Sequence, residues 1–178
     1  MTLSETFFIG DTHFGHKGII QFSGTRPYRP FDTIEEHDAE LIKRWNKVVG
    51  KNDRVFVLGD FCFGKRNLPI ANELNGTKKL IMGNHDCYAS TDYLQYFEKL
   101  YGCCEYKGTI LSHMPVHENQ FPRYFMNIHG HMHEKVVMKG AWSPTLEPDR
   151  RYFNCSAEQI NLTPIPYDEI LSEWAKNH

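Results

Sequence analysis

The chain has 178 residues, a formal net charge of -2 and a pI near 6.5. This length predicts one domain over residues 1–178, large enough to bury a core without disulfide support. The mild negative charge argues against bulk, non-specific adhesion to nucleic acid, although a local basic patch is compatible with it. No apolar run is long enough to span a bilayer, and the start of the chain lacks the basic region and cleavage site of a signal peptide.

The cysteines are odd in number and show no C-x-x-C spacing: Cys62, Cys87, Cys103, Cys104 and Cys155. Such usage is typical of reduced thiols, so we expect a cytoplasmic protein with no membrane partner. The oligomeric state is left open by the sequence.

The first half of the chain alternates short apolar runs with helical patterns. Strands are predicted at 6–9, 55–58 and 79–82, each fully apolar or nearly so and each followed by polar residues. A helix is predicted over 34–49, because Thr33 and Glu36 form a capping-box pattern and Gly50 follows the last turn. Shorter helices are predicted at 67–74 and 92–100, and a last one at 167–176.

The second half contains strand candidates with few helices between them, at 109–112, 124–128, 135–138, 152–155 and 162–165. This pattern predicts a second sheet packed on the first. Residues 142–151, which include two prolines, are predicted to form an exposed loop.

Five short blocks of potential metal ligands follow apolar runs: Asp11-Thr12-His13, Gly59-Asp60, Gly83-Asn84-His85-Asp86, Ser112-His113 and Gly130-His131-Met132-His133. Each block alone is a weak signal, because a lone histidine or an Asp after Gly is usually a solvated turn residue. Their joint occurrence at strand ends, where ligands of open α/β sheets gather, predicts a site for two divalent cations. A carboxylate can bridge two cations, and imidazoles at i and i+2 of a strand end point the same way.

The ordered blocks D-x-H, G-D, G-N-H-D, S-H and G-H-x-H closely resemble those of the calcineurin-like metallophosphoesterase superfamily, over roughly residues 7–134. The stretches 11–16 and 26–31 are similar to those of its small, single-domain bacterial and phage members. The resemblance implies an α/β fold, a two-sheet αββα sandwich with flanking helices.

The resemblance also implies two overlapping ligand sets. The first metal would be held by Asp11, His13, Asp60 and His133. The second would be held by Asp60, Asn84, His113 and His131, so that Asp60 bridges the pair. Asp86 would support the catalytic group by orienting the neighbouring histidine. Mixed oxygen and imidazole ligands favour Mn²⁺, Fe or Zn²⁺ over Ca²⁺, and the resemblance favours Mn²⁺.

These positions predict hydrolysis of a phosphate ester. A hydroxide shared by two cations is nucleophilic near neutral pH, and His85, which is not needed as a ligand, is expected to protonate the leaving oxygen as general acid. Substrate contacts are predicted at His16, Arg26, Arg29 and Arg123, since guanidinium binds phosphate bidentately. A solvated loop position for His16 and salt bridges for the arginines are the alternatives.

Three functional readings follow. The first is a phosphodiesterase that also accepts monoesters. No cap segment is evident that would enclose a small substrate, and this favours a diester. A nucleotide is one candidate substrate. The second is a nuclease acting on nucleic-acid ends, which the net acidity disfavours. The third is a non-catalytic interaction module that retains the fold, which the full ligand set disfavours.

Overall fold

The computed structural model describes residues 4–140 and 147–176. Its strands are β1 (Thr6–Ile9), β2 (Arg54–Val57), β3 (Thr77–Ile81), β4 (Lys99–Tyr101), β5 (Cys103–Tyr106), β6 (Thr109–Ser112), β7 (Met126–His129), β8 (Tyr152–Asn154) and β9 (Ile165–Pro166). Its α-helices are α1 (Ile34–Val48), α2 (Ser90–Tyr93) and α3 (Tyr167–Lys176), and 3₁₀ helices span Lys17–Ile20, Lys65–Glu73 and Glu118–Gln120. No helix in this described part is long and apolar enough to cross a membrane.

The strands form two mixed sheets. The first has the order β4-β3-β2-β1-β9, in which β1 to β4 run parallel and β9 runs antiparallel to β1. The second has the order β5-β6-β7-β8, with β6, β7 and β8 parallel and β5 antiparallel to β6. Two sheets flanked by helices agree with the predicted fold class.

Strand β1 lies between two hydrophobic cores. Phe7 and Ile9 point to the helical side, where they share a core with Leu41 and Trp45 of α1. Phe8 points to the other side and packs in the core between the sheets. Because successive side chains of a strand face opposite ways, burial on both faces requires the unbroken apolar run of this strand. This explains why β1 was predictable.

Helix α1 begins at the predicted residue, ends one residue before the predicted end, and has the predicted cap. The Thr33 side chain accepts a hydrogen bond from the Glu36 backbone, and the Glu36 side chain accepts one from the Thr33 backbone. The N-terminus therefore has the reciprocal capping box that the sequence predicted. The last helix, α3, also has its predicted span.

Four predicted elements differ. The strand predicted at 162–165 is wrong for most of its length, because Leu162 has a positive φ and β9 spans only Ile165–Pro166. The helix predicted at 92–100 is wrong, because helix α2 ends at Tyr93 and the chain then forms β4, whose pairing with the edge of β3 outweighs local helical spacing. The segment at 67–74 is a 3₁₀ helix rather than an α-helix, and Pro69 inside it cannot donate a backbone hydrogen bond. The strand predicted at 135–138 is reduced to one bridge between Met138 and Pro148.

Strand β5 was not predicted. It forms a hairpin with β6 through Lys107 and Gly108, both of which have positive φ. Two positive-φ residues define the tight turn that matches the twist of paired strands. The predicted exposed loop at 142–151 lies partly outside the described residues. In its described part Asp149 is buried and bound by Arg151, so that part is not simply exposed.

Candidate metal centre

The ligand-bearing loops meet where the carboxyl ends of both sheets converge. Gly10 bridges Ser156, which joins the end of β1 to the end of β8. The loops after β1 and β2 are bound together by hydrogen bonds from the backbone of Asp11 to Gly59 and from that of His13 to Asp60. The loops after β6 and β7 are joined in the same way, through Gly130. Backbone pairing thus holds all these loops in fixed register.

Two compact groups of ligands result. Asp11, His13 and His133 form one group, with one ligand atom of each lying within 4.8 Å of the others. A second group, which meets the same limit, consists of Asp60, His113 and His131. The structure therefore brings together, in two clusters, six of the side chains that the sequence singled out.

Asp60 lies between the two groups. Its Oδ2 is 3.7 Å from His13 Nε2 and 3.4 Å from His113 Nε2, while its Oδ1 accepts a hydrogen bond of 2.8 Å from the backbone of His85. Asn84 Oδ1 is 2.9 Å from His113 Nε2, which adds an amide oxygen to the second group. One carboxylate thus faces a histidine of each group, as a bridging ligand must.

The backbone at this site is strained. Of the eight non-glycine residues with positive φ in the described ranges, five belong to the ligand groups: Asp11, His13, Asp60, His131 and His133. A left-handed conformation is costly for residues with a Cβ, and it persists where the surrounding structure enforces it, most often at functional sites. In D-x-H and in H-x-H, the first and third residues have left-handed backbones. Their two side chains therefore point toward the same site.

Two motif glycines allow the close packing of these loops. A Cβ at Gly130 would lie 2.5 Å from Asp11 Oδ2, and a Cβ at Gly83 would overlap Asp60 Oδ1. Side chains at these positions would displace the two carboxylates. The limited space at these two positions, each directly before a candidate ligand, therefore favours glycine.

The donor atoms fit divalent cations. Asp11 Oδ1 and His13 Nε2 are buried and have no hydrogen-bond partner among the described residues. Leaving buried polar atoms unpaired costs about 1–3 kcal/mol each, so they need another partner. Both atoms belong to the first group, and carboxylate oxygen with imidazole nitrogen is a ligand set that Mn²⁺, Fe and Zn²⁺ accept.

The pKa values show how the cluster behaves without a cation. Burial raises the pKa of Asp11 to about 6, and burial also lowers the pKa of His13 well below its usual value. Burial opposes protonation of His113, but the hydrogen bond to Asp60, the negative charges of Asp11 and Asp60 and the Leu58 carbonyl together outweigh it and raise the pKa of this histidine to about 9. A proton on His113 thus supplies positive charge beside Asp60, and a cation would compete with that proton.

Asp86 has a different role from the one predicted. Its side chain is buried, and its two oxygens accept hydrogen bonds from the backbone of Asp60, Phe61 and Gly83. Asp86 therefore positions the backbone of the loop that carries Asp60. The sequence had predicted instead that it orients the neighbouring histidine.

Arg29 is not the substrate contact that the sequence suggested. Its side chain is fully buried, its Nε donates to Glu158 Oε1 at 2.8 Å, and its guanidinium also donates to the carbonyls of Asp11 and Thr12. Glu158 Oε1 lies 3.0 Å from His133 Nδ1. The buried arginine thus stabilises the loop of Asp11 directly, and it stabilises the His133 ring through Glu158.

Glu158 and His37 are the functional residues that sequence reasoning missed. Burial alone would raise the pKa of Glu158, but hydrogen bonds from His133 and Arg29 lower it to about 2. A carboxylate held ionised in this way fixes the His133 ring with its other nitrogen free to bind a metal. His37 Nε2 contacts Arg29 at 2.7 Å from the opposite side. The only sequence signal was the place of Glu158 soon after a predicted strand.

The other predicted contacts divide into two groups. His16 and His85 line one recess beside the ligands, with His16 Nδ1 3.2 Å from His13 Nδ1. Arg26 donates to the Phe31 carbonyl and pairs with Asp32, so it braces its own loop. Arg123 precedes β7 and pairs with Glu105 of β5, at the end of the second sheet opposite the ligands. The two arginines are thus not brought to the site.

Comparison with known proteins agrees with this geometry. The model of the calcineurin-like phosphoesterase family matches residues 6–173, so the chain belongs to this family. The predicted resemblance is thereby confirmed. This family uses divalent metals, and the described residues contain two groups that could hold them.

Two curated proteins and one solved structure illustrate what the chain is similar to. The chain is 34% identical over 180 residues to an uncharacterised protein from Methanocaldococcus jannaschii, covering 96% of this chain and 92% of that protein. It is 40% identical over 89 residues to the Gene 66 protein of Mycobacterium phage L5, covering 47% and 41%. A solved structure of a protein of unknown function from Aquifex aeolicus matches with a TM-score of 0.69 and 25% identity, over 96% of this chain and 100% of that chain.

We predict that the metal-free protein loses stability as the Asp11 carboxyl ionises. Its folded pKa of about 6 lies above its usual value of 3.8, so the stabilisation is complete below about pH 4 and is lost as the pH rises through 6. The expected loss from this group is about 3 kcal/mol in the free energy of unfolding. Urea unfolding of the wild type and Asp11→Asn, in chelator, measures it as the difference between their pH profiles. A difference that does not change with pH would contradict the buried, proton-binding carboxyl.

Proposed function

We propose that this protein hydrolyses phosphodiesters, and phosphomonoesters more slowly, at a dinuclear metal centre. The observation that carries the proposal is the position of Asp60 between two groups of ligands, with one carboxylate oxygen facing a histidine of each group. Two divalent cations held there would supply an activated water and neutralise charge on the phosphate. We favour Mn²⁺, with Fe and Zn²⁺ as alternatives, because the described ligand groups contain no thiolate.

The openness of the site supports a diester preference. Asn84 and His85 are exposed, and the recess beside the first ligand group opens to solvent. A diester carries substituents on both sides of phosphorus and needs such space, whereas a small monoester is usually enclosed. The five cysteines are free, which is consistent with a cytoplasmic location.

His85 is well placed to act as the general acid. Its ring centroid lies 5.5 Å from that of His13, it is exposed, and it lines the same recess as the ligands His13, His131 and His133. Its backbone N–H is held by Asp60 Oδ1, which fixes the loop while the imidazole stays available. Proton transfer to a leaving oxygen contributes roughly 10²–10⁴-fold in typical enzymes. We therefore assign that step to His85.

Contacts to the Nδ1 atoms of two candidate ligands fix the orientation of their rings. His13 Nδ1 is in hydrogen-bonding contact with His16, and His133 Nδ1 with Glu158. The Nε2 atoms of both histidines therefore remain available to bind the cations. Such outer contacts typically change metal affinity or activity by 10–100-fold when they are lost. The chain thus supplies both the ligands and their orientation.

The activity is tested with bis-p-nitrophenyl phosphate and p-nitrophenyl phosphate, using metal-stripped protein with added Mn²⁺. We expect diester turnover that depends on the metal and is abolished in Asp60→Asn, because the bridging carboxylate is lost. Asp32→Asn is the matched control, since the Asp32 side chain is 90% exposed and pairs only with Arg26 among the described ion pairs. Two bound metals without turnover of either ester would contradict hydrolysis and favour an interaction role.

The acid role predicts a selective defect in His85→Asn. This variant should bind metal normally and lose about 10²-fold or more in turnover of alkyl phosphodiesters, whose leaving groups need a proton. Nitrophenyl esters, which leave without help, should be affected much less. His117→Asn is the control, because His117 is exposed and caps a 3₁₀ helix outside the ligand groups. Full activity of His85→Asn on an alkyl diester would refute the assignment.

A further inference from the structure

An aromatic rim borders the recess beside the first ligand group. The recess has a volume of about 460 Å³ and includes His16, Ile19, Phe22 and Lys135 together with metal-ligand histidines. This volume lies within the range of about 300–1,000 Å³ that small-molecule sites occupy. It is therefore large enough to hold an organic group attached to a phosphate at the metals.

Three rings form the rim: His16 and Phe22 line the recess, and Phe63 adjoins it through ring contacts with His16 and His85. The His16 ring stacks on Phe63 with a centroid distance of 4.5 Å and an interplanar angle of 16°. The edge of Phe22 meets the same His16 ring at 5.9 Å and 72°. The rings come from the loop after β1, the turn after the first 3₁₀ helix and the loop after β2, so three separate segments place them together.

Both phenylalanines are unusually open. Phe22 is 56% exposed and Phe63 is 49% exposed, although each lies next to a polar site. Exposed aromatic groups that adjoin one another are typical of binding surfaces rather than of folding cores. Flat aromatic faces favour a planar ring over an alkyl chain, because stacking adds to the burial of area.

The position of His85 indicates which part of the ester faces the rim. His85 lines the recess, and its ring lies 6.2 Å from that of Phe63. If His85 protonates the leaving oxygen, the alcohol attached to that oxygen occupies the recess. A ring bound there would therefore belong to the leaving group.

We propose that Phe22, His16 and Phe63 form a stacking subsite for a planar ring on the leaving alcohol, so that the substrates are phosphate esters of ring-bearing alcohols such as nucleosides. This assignment rests on the proposed function, since it takes the phosphate to be held at the ligand groups. The recess is also lined by Glu134 and Lys135, whose opposite charges lie next to each other there.

The test compares AMP with ribose 5-phosphate, which carries the same sugar phosphate without the base. Isothermal titration into Mn²⁺-loaded protein should give a dissociation constant for AMP at least about tenfold lower, the usual effect of one stacked base. Phe63→Leu and Phe22→Leu should each reduce this preference while binding of ribose 5-phosphate stays unchanged. Phe125→Leu is the control, because Phe125 is 39% exposed and packs against Trp174, away from the recess.

Equal affinity for the two ligands, no binding of either, or a preference that survives in both rim variants would overturn the subsite. The comparison within the wild type keeps the test valid even if a variant fails to fold. Diester turnover without a preference for AMP would contradict this inference alone. Preference for AMP without any ester hydrolysis would instead contradict the proposed function.

Discussion

The buried ion pair between Arg29 and Glu158 is the interaction on which the site depends. Both side chains are fully buried, and their separation in sequence is 129 residues. From this pair, hydrogen bonds reach the backbone of Asp11 and Thr12 on one side and the His133 ring on the other. Breaking such a pair by removing one partner typically costs 3–5 kcal/mol, because a charge is left buried and unpaired. The first and last ligand loops are thus held by one contact.

This support allows the site to keep an arrangement that is unfavourable on its own. Asp11 and Asp60 are buried near one another, and five ligands have left-handed backbones. Both features raise the energy of the metal-free fold, and a cation relieves the first by satisfying the orphaned Asp11 Oδ1 and His13 Nε2. Stability is therefore exchanged for a preformed site, as is common where function requires strain.

The clustering of the candidate ligands was predictable from the sequence, because each belongs to a short motif directly after an apolar strand. Local spacing placed Asp11 and His13, and the parallel topology then brought the separate blocks to one edge. Arg29 was misassigned for the opposite reason, because its partner Glu158 is remote in sequence. Without that partner in view, an arginine near a ligand motif is equally consistent with a phosphate contact. Strand β4 was missed because its pairing with β3 is a tertiary contact that local helical spacing conceals. Local sequence patterns do not reveal such long-range contacts, neither the Arg29–Glu158 pair nor the pairing of β4 with β3.

The most direct test of the dinuclear centre is anomalous diffraction from crystals grown with Mn²⁺. A dinuclear centre should give two peaks per chain, one contacting Asp11, His13 and His133 and the other contacting Asn84, His113 and His131. Both ions should contact the Asp60 carboxylate, which lies between the two groups. A single ion, or two ions of which either fails to contact Asp60, would contradict a dinuclear centre bridged by this carboxylate.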